Sequence, residues 1–250
     1  MYGAYQAGAW QALADTFQPD LVVGASIGAL NGWAIAGGCP PGELVDRWLD
    51  LEEAARYRWQ APRSVFGGVL NNAPLQRAIR DIHGSYALRS PFAMVATNLL
   101  RLRPRVFRDA EVTWRHLAAS VAIVGIFDQV RIDGTFYSDG GLLSALPLWA
   151  AAELGAERIV AVDVLPEPPG LVAHTFVRAM KLLSPFRPQA PDSIEIVRIA
   201  PPALLGAPLD AIYWKRANVE AWIERGRRDA RASLEGGEIK HSIPNCFERK

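Results

Sequence analysis

The chain has 250 residues, half of them hydrophobic and about a fifth charged, which suits one large α/β domain with a substantial buried core. Its formal net charge of +1 gives no electrostatic reason to expect a nucleic-acid partner. The sequence has neither a run of about 18 apolar residues nor a basic segment followed by an apolar stretch, so we expect no membrane-spanning helix and no secretory signal. The two cysteines, Cys39 and Cys246, lack metal-ligand spacing and favour a reducing compartment, so we expect a cytoplasmic protein.

Hydrophobic periodicity and turn signals predict helices and strands that alternate along the chain. In chain order these are a helix over 4–14, a strand over 20–24, helices over 26–36, 43–51 and 72–84, a strand over 92–97, a helix over 112–122, a hairpin of 130–132 and 135–137, a helix over 147–154, strands over 158–164 and 194–199, and a helix over 209–234. Asp133-Gly134 is a hairpin-turn signal, Asn72 is expected to cap the helix after it, and the strand over 158–164 is expected to be buried on both faces. The alternation predicts one domain over residues 1–250, with a mainly parallel sheet covered by helices on both sides.

The first chemical candidate is the pattern Gly24-x-Ser26-x-Gly28, which lies where the strand over 20–24 passes into a helix. A sharp strand-to-helix turn of this kind exposes the serine hydroxyl, and the glycines keep side chains away where backbone segments come close. The start of the helix adds N–H groups and the positive end of the helix dipole, which favour developing negative charge. We therefore interpret Ser26 as a nucleophile; the alternative is a serine that only caps the helix.

A nucleophilic serine needs a positioned base to take its proton. In a triad that runs Ser, then Asp or Glu, then His, the late base would be His174 or His241, and neither lies at a clear strand end. The other two histidines are His83 and His116. Asp139, in "YSDGG", is the second candidate, because a carboxylate bonded directly to the serine hydroxyl can act as the base if burial raises its pKa. A Ser–Asp dyad and a Ser–His–Asp triad both remain open at this point.

Several ordered segments together resemble the patatin-like phospholipase family, which are lipid acyl hydrolases with a Ser–Asp dyad. "GASIGALNG" resembles the nucleophile motif of that family and "SDGGLLSALPL" its Asp-Gly-Gly/Ala motif, while the match continues through "VATNLLRLRPRVF", "AASVAIVGIFDQVRIDGTFYSDGG" and "LGAERIVAVDV". The resemblance covers roughly residues 3–165, and residues 166–250 are less recognisable. It implies a three-layer α/β/α sandwich with a mainly parallel central sheet, related to the α/β-hydrolases.

The resemblance also implies roles for individual residues. Ser26 would be the nucleophile and Asp139 the general base, acting on a lipid or phospholipid acyl ester without a metal or a cofactor. The motif glycines would be Gly24, Gly28, Gly140 and Gly141.

One departure concerns the glycine-rich loop, G-G-G-x-x-G, whose N–H groups form the oxyanion hole in this family. Only its last glycine is present, as Gly3 in "MYGAYQAG", and the earlier ones would lie before Met1. We therefore expect a chain shortened at its N-terminus; the alternative is a catalytically impaired lipid-binding or regulatory member. The expected oxyanion donors are the N–H groups of Gly3 and Ile27, the latter because the residue after the nucleophile donates in related hydrolases.

Basic and aromatic residues suggest how a lipid could be held. Arg101, Arg103 and Arg105 in "RLRPRVFR" could bind a phospholipid head group; the alternative, which the pattern favours, is a solvated hairpin edge protected by charge. Tryptophans such as Trp59 and Trp222 could contact a membrane surface, unless they belong to the core.

Overall fold

A computed structural model describes residues 1–165, 171–186, 194–237 and 239. The helices are α1 (Gly3–Leu13), α2 (Ile27–Ala36), α3 (Pro41–Leu49), α4 (Ala73–Ser85), α5 (Trp114–Ser120), α6 (Leu148–Glu153), α7 (Leu171–Leu183) and α8 (Arg216–Glu235). The strands are β1 (Val22–Ala25), β2 (Arg58–Trp59), β3 (Leu70–Asn71), β4 (Phe92–Asn98), β5 (Arg103–Arg108), β6 (Val130–Ile132), β7 (Thr135–Ser138), β8 (Arg158–Val162) and β9 (Glu195–Ile199). Most of the predicted elements are therefore confirmed, with ends that shift by a few residues.

Three local predictions are wrong. The last helix begins at Arg216 rather than 209, because residues 208–211 form a 3-10 turn and the indole of Trp214 is drawn onto the Trp48 carbonyl at 3.0 Å. Asn72 does not cap α4: the carbonyl oxygen of the Asn71 side chain accepts the Ala73 N–H instead, at 2.9 Å. Strand β8 alternates between buried and partly exposed residues, so only one of its faces is fully covered.

The central sheet is built around β4. Strand β5 pairs with one edge of β4 over its length, in an antiparallel hairpin. The other edge of β4 is shared by β1, which pairs in parallel with residues 92–95, and β7, which pairs antiparallel with Thr97 and Asn98. Strand β6 extends the sheet beyond β7, and β8 pairs with β9 in a separate parallel sheet. The sheet is thus mixed, with one parallel pair at its centre, rather than mainly parallel.

Helices cover both faces of this sheet. Alternate residues of β4, among them Phe92 and Met94, are buried in the large core that contains Leu30 and Trp33 of α2 and Leu117 of α5. The opposite face carries Val95 and Ala25, which pack against Trp149 and Ala150 of α6. The α/β/α class is confirmed, and the single domain over 1–250 stays a prediction.

Candidate active site

Ser26 lies alone between the last residue of β1 and the first residue of α2. Its backbone has φ 52° and ψ −130°, a conformation that residues with a Cβ rarely adopt and that costs on the order of 1–3 kcal/mol. Gly24 allows the turn to be this tight, because a Cβ at that position would lie 2.4 Å from the carbonyl oxygen of Gly28 and 2.6 Å from the Cα of Ala29. The predicted strand–turn–helix context of Ser26 is confirmed.

The strand register brings Asp139 to the same point from the opposite direction. Ala25, the last residue of β1, stands opposite Val95 of β4, and Ser138, the last residue of β7, stands opposite Thr97. Ser26 and Asp139 follow these two strand ends directly, so both lie beside Ala96, the one β4 residue between Val95 and Thr97. There the Ser26 Oγ donates a hydrogen bond to Asp139 Oδ2 at 2.6 Å, across 113 positions of sequence.

The Asp139 carboxylate is half-buried at the end of β7. Burial raises its pKa to about 6, against hydrogen bonds from the Ser26 hydroxyl and from the Gly141 N–H, at 2.7 Å to Oδ1, which lower the pKa. Its backbone is anchored as well, because the Asp139 carbonyl accepts the Thr97 hydroxyl at 2.8 Å. Gly140 is required beside it, since a Cβ there would lie 2.1 Å from the Val95 carbonyl oxygen. The carboxylate is thus both rigid and basic enough to take a proton near neutral pH.

Comparison with known proteins assigns the chain to a family. The model for the patatin-like phospholipase family matches residues 1–152. This chain belongs to that family.

Relatives of this patatin-like protein include longer chains. An uncharacterized NTE family protein of Mycobacterium tuberculosis is 30% identical over 146 residues, which are 57% of this chain and 40% of that protein. Patatin-like phospholipase domain-containing protein 7 of Rattus norvegicus is 27% identical over 172 residues, or 65% of this chain and 13% of the relative. Lysophospholipase nte1 of Aspergillus oryzae is 35% identical over 68 residues, which are 27% of this chain and 4% of the relative. This patatin-like chain therefore spans less than half the length of these relatives.

The two expected oxyanion donors lie side by side in this patatin-like protein. Gly3 and Ile27 are the first residues of α1 and α2, and a Cβ on Gly3 would lie 2.6 Å from the Ile27 side chain. Buried Asn31 ties the two helices together, because its amide donates to the Gly3 carbonyl at 2.9 Å while its oxygen accepts the Trp48 indole N–H at 3.0 Å. Two helix N-termini therefore meet beside Ser26, and the oxyanion role of their N–H groups stays a prediction.

Two of the four histidines have partners away from Ser26. His83 Nε2 lies 3.2 Å from the Val112 carbonyl oxygen, and its ring stacks on Trp33. His116 Nδ1 lies 2.9 Å from the Thr113 hydroxyl, and burial lowers the pKa of its imidazole. These contacts explain both histidines as structural residues.

The other two histidines are the triad candidates. The backbone at His174 belongs to α7, while its side chain and the whole of His241 lie outside the described residues. Within the part of the chain that the structure describes, the group bonded to the Ser26 hydroxyl is Asp139 and not a histidine.

The arginines of the β4–β5 hairpin are exposed. Arg105 stands opposite Ala96 on the β5 edge of β4, and its guanidinium contacts the Tyr137 hydroxyl at 3.2 Å and lies over the Phe107 ring at 4.4 Å. Arg101 and Arg103 occupy the turn and the start of β5. Contacts within the protein thus account for Arg105, and a head-group role for the three arginines stays a prediction.

Of the tryptophans considered for membrane contact, Trp59 is 76% exposed, whereas Trp222 is buried against the Leu205 carbonyl. Membrane contact stays a prediction, and of these two tryptophans only Trp59 is exposed enough to make it. Among the described helices, none is both long and apolar enough to cross a bilayer.

An apolar cavity of about 140 Å³ opens at Ser26. Ser26 and Ile27 form part of its wall, and the rest comes mainly from α2, α3 and α4 together with Val121 and Ile123 after α5. The lining also includes Trp48 and Ile79. Over the described ranges no cluster of three or more His, Cys, Asp or Glu side chains is placed to hold a metal ion.

Two contributors to the site were absent from the sequence prediction. Ser120 and Thr97 are fully buried polar residues that bond to the backbone of Ser26 and Asp139 respectively. The available signal was a hydroxyl residue inside an otherwise apolar run, "LAASVA" and "FAMVAT". Such a residue needs a hydrogen-bond partner when buried, but the pattern does not say which partner.

Proposed function

We propose that this chain is a serine acyl hydrolase that cleaves lipid acyl esters through a Ser26–Asp139 dyad. The 2.6 Å hydrogen bond from the Ser26 hydroxyl to the Asp139 carboxylate is the observation that carries the proposal. The names of its relatives, a lysophospholipase and patatin-like phospholipases, favour a lipid ester as the substrate.

The reaction would proceed in two steps. Ser26 Oγ attacks the acyl carbonyl carbon while its proton passes to Asp139, and the tetrahedral oxyanion then collapses. The ester C–O bond breaks, and the leaving alcohol takes the proton from Asp139. Water attacks the acyl-enzyme with Asp139 again accepting a proton, which returns to Ser26 as the fatty acid leaves. The paired helix N-termini at Gly3 and Ile27 would stabilise the oxyanion in both steps.

A fluorophosphonate probe tests the proposal directly. Ser26 Oγ should attack phosphorus and displace fluoride, and mass spectrometry of the digested protein should locate the adduct on the Ser26 peptide. The Ser26→Ala variant is the control and should remain unlabelled. A correctly folded wild-type chain without label, or with label on another serine, would contradict the dyad.

The cavity beside Ser26 predicts which part of the substrate enters it. Its wall is almost entirely apolar, so an acyl chain fits it better than a charged head group. Ala78 of α4 lines the cavity, and a phenylalanine there should exclude the distal methylenes of the chain. Each lost methylene contact is worth about 0.8 kcal/mol, so the loss of about two of them should lower kcat/KM for an eight-carbon acyl ester about tenfold relative to the acetyl ester.

The matched control for Ala78→Phe is Ala73→Phe, which changes an exposed residue of the same helix. Initial rates with p-nitrophenyl esters of two to ten carbons give the comparison. Equal losses on short and long esters, or an unchanged preference, would mean that the acyl chain binds elsewhere.

A further inference from the structure

Ser120 is the last residue of α5, and its side chain is completely buried. The hydroxyl donates a hydrogen bond to the Val95 carbonyl at 2.7 Å and accepts the backbone N–H of Ser26 at 2.8 Å. Both hydrogen bonds of the hydroxyl therefore lie at the end of the sheet where Ser26 and Asp139 meet. One joins Ser120 to β4, and the other joins it to the backbone of Ser26.

The backbone at the end of α5 holds the other half of the dyad. The Ser120 carbonyl accepts the Gly140 N–H at 3.1 Å, and two residues later the Ala122 carbonyl accepts the Asp139 N–H at 3.0 Å. The fully buried Ser138 hydroxyl donates to the same Ala122 carbonyl at 2.8 Å. The segment 120–122 thus forms hydrogen bonds to residues 138, 139 and 140, and the hydroxyl of its serine accepts the Ser26 N–H.

This position matters because Ser26 has no strand or helix partner for its own N–H. With φ 52° the residue leaves the β1–β4 ladder, and its N–H is directed at the fully buried side chain of Ser120, where it needs an acceptor. The Ser120 hydroxyl is that acceptor. Without it, the strained turn could relax away from the conformation that points Oγ at Asp139, since such conformations persist only where the surroundings enforce them.

We propose that Ser120 is a positioning residue that fixes the Ser26 turn relative to Asp139. The inference rests on the proposed hydrolase function and adds a third residue to it. Ser120 touches neither the acyl group nor the proton in transit; it acts through the Ser26 backbone.

The chain contains a matched control. The Ser184 hydroxyl is also buried, donates to the Leu102 carbonyl at 2.6 Å and accepts the Phe186 N–H at 3.0 Å. Ser184→Ala therefore removes the same pattern of hydrogen bonds as Ser120→Ala, at a place that does not contact the dyad. Thermal unfolding reports the structural loss in each variant, and steady-state kinetics with a p-nitrophenyl ester report kcat and KM separately.

We expect Ser120→Ala to lower kcat about 10- to 100-fold with KM nearly unchanged, because small displacements of reacting groups have effects of this size. Ser184→Ala should lower the unfolding temperature by a similar amount but leave kcat near the wild-type value. Ser120→Cys keeps a slightly larger, weakly donating and accepting group at this position, so no void is left, and it should fold and give an intermediate kcat even if the alanine variant does not fold.

Two results would overturn the inference. One is a kcat within about twofold of wild type in whichever Ser120 variant folds. The other is an equal loss of kcat in Ser184→Ala, which would make the effect a general consequence of lost stability. Ser26→Ala separates these outcomes from failure of the proposed function, because retained hydrolysis in that variant would remove the dyad and not merely its support.

Discussion

Replacing Ser26 with alanine is expected to lower ester hydrolysis by at least about 10⁴-fold, because the attacking oxygen is removed. The fold should survive, since alanine also carries a Cβ and meets the same backbone strain at φ 52° as the serine does. The measurement is the release of p-nitrophenol from an ester, compared with circular dichroism and thermal unfolding of the same preparation.

The control for this variant is Ser90→Ala, which deletes a hydroxyl that bonds to the Ala36 carbonyl at 3.3 Å, away from Asp139. It should keep wild-type kcat. Hydrolysis that persists in a folded Ser26→Ala protein would assign the nucleophile to another residue and would end the Ser–Asp mechanism.

Asp139→Asn is the second large effect, with an expected loss of about 10³- to 10⁴-fold in kcat. The oxygen of the asparagine amide can still accept the Gly141 N–H. Its NH₂ group then faces the Ser26 hydroxyl, which in the wild-type protein donates to the carboxylate. The side chain keeps its shape but no longer takes a proton. The loss should therefore appear in kcat without unfolding.

Asp139→Asn should increase the stability of the folded protein even though it lowers kcat. Burial raises the Asp139 pKa from 3.8 to about 6, so the ionised carboxylate destabilises the folded protein once the pH exceeds that range. The destabilisation is absent below pH 3.8, develops between 3.8 and about 6, and is complete above it. Asp139→Asn removes it, and unfolding at pH 7 to 8 should require up to about 3 kcal/mol more, less to the extent that the half-buried residue keeps solvent contact.

The same titration predicts the pH dependence of the wild-type reaction. Only the ionised carboxylate accepts the Ser26 proton, so kcat/KM should fall as the pH drops through about 6. Asp133→Asn is the matched control: it alters the other Asp-Gly pair, in the β6–β7 turn at φ 48°, which asparagine adopts readily. It should leave both kcat and the acidic limb unchanged. Full activity in Asp139→Asn, or an acidic limb that persists in its residual activity, would assign the base to another group.

The local elements of the site could be predicted because their signals are local. The Gly24-x-Ser26-x-Gly28 turn depends on small residues meeting within five positions, and the Asp133-Gly134 hairpin on two residues that accept positive φ. Helix α7 was not predicted, because the prolines that flank it in the sequence indicated a loop-rich region. The start of α8 was displaced by a tertiary contact, the Trp214 indole on Trp48, to which no local pattern responds.

The sequence by itself determined the turn at Ser26, the hairpin before Asp139 and the selection of these two residues as candidates, because each depends on short-range sterics or on the motifs of a family. Tertiary structure alone decided that they meet. Ser26 and Asp139 can approach each other only because β1 and β7 share one edge of β4 and end on either side of the same β4 residue. Strand register is a long-range property of the sheet, so no local sequence pattern specifies this approach. The partner of a buried hydroxyl is long-range in the same way, so the role of Ser120 became visible only when α5 was packed against both strand ends.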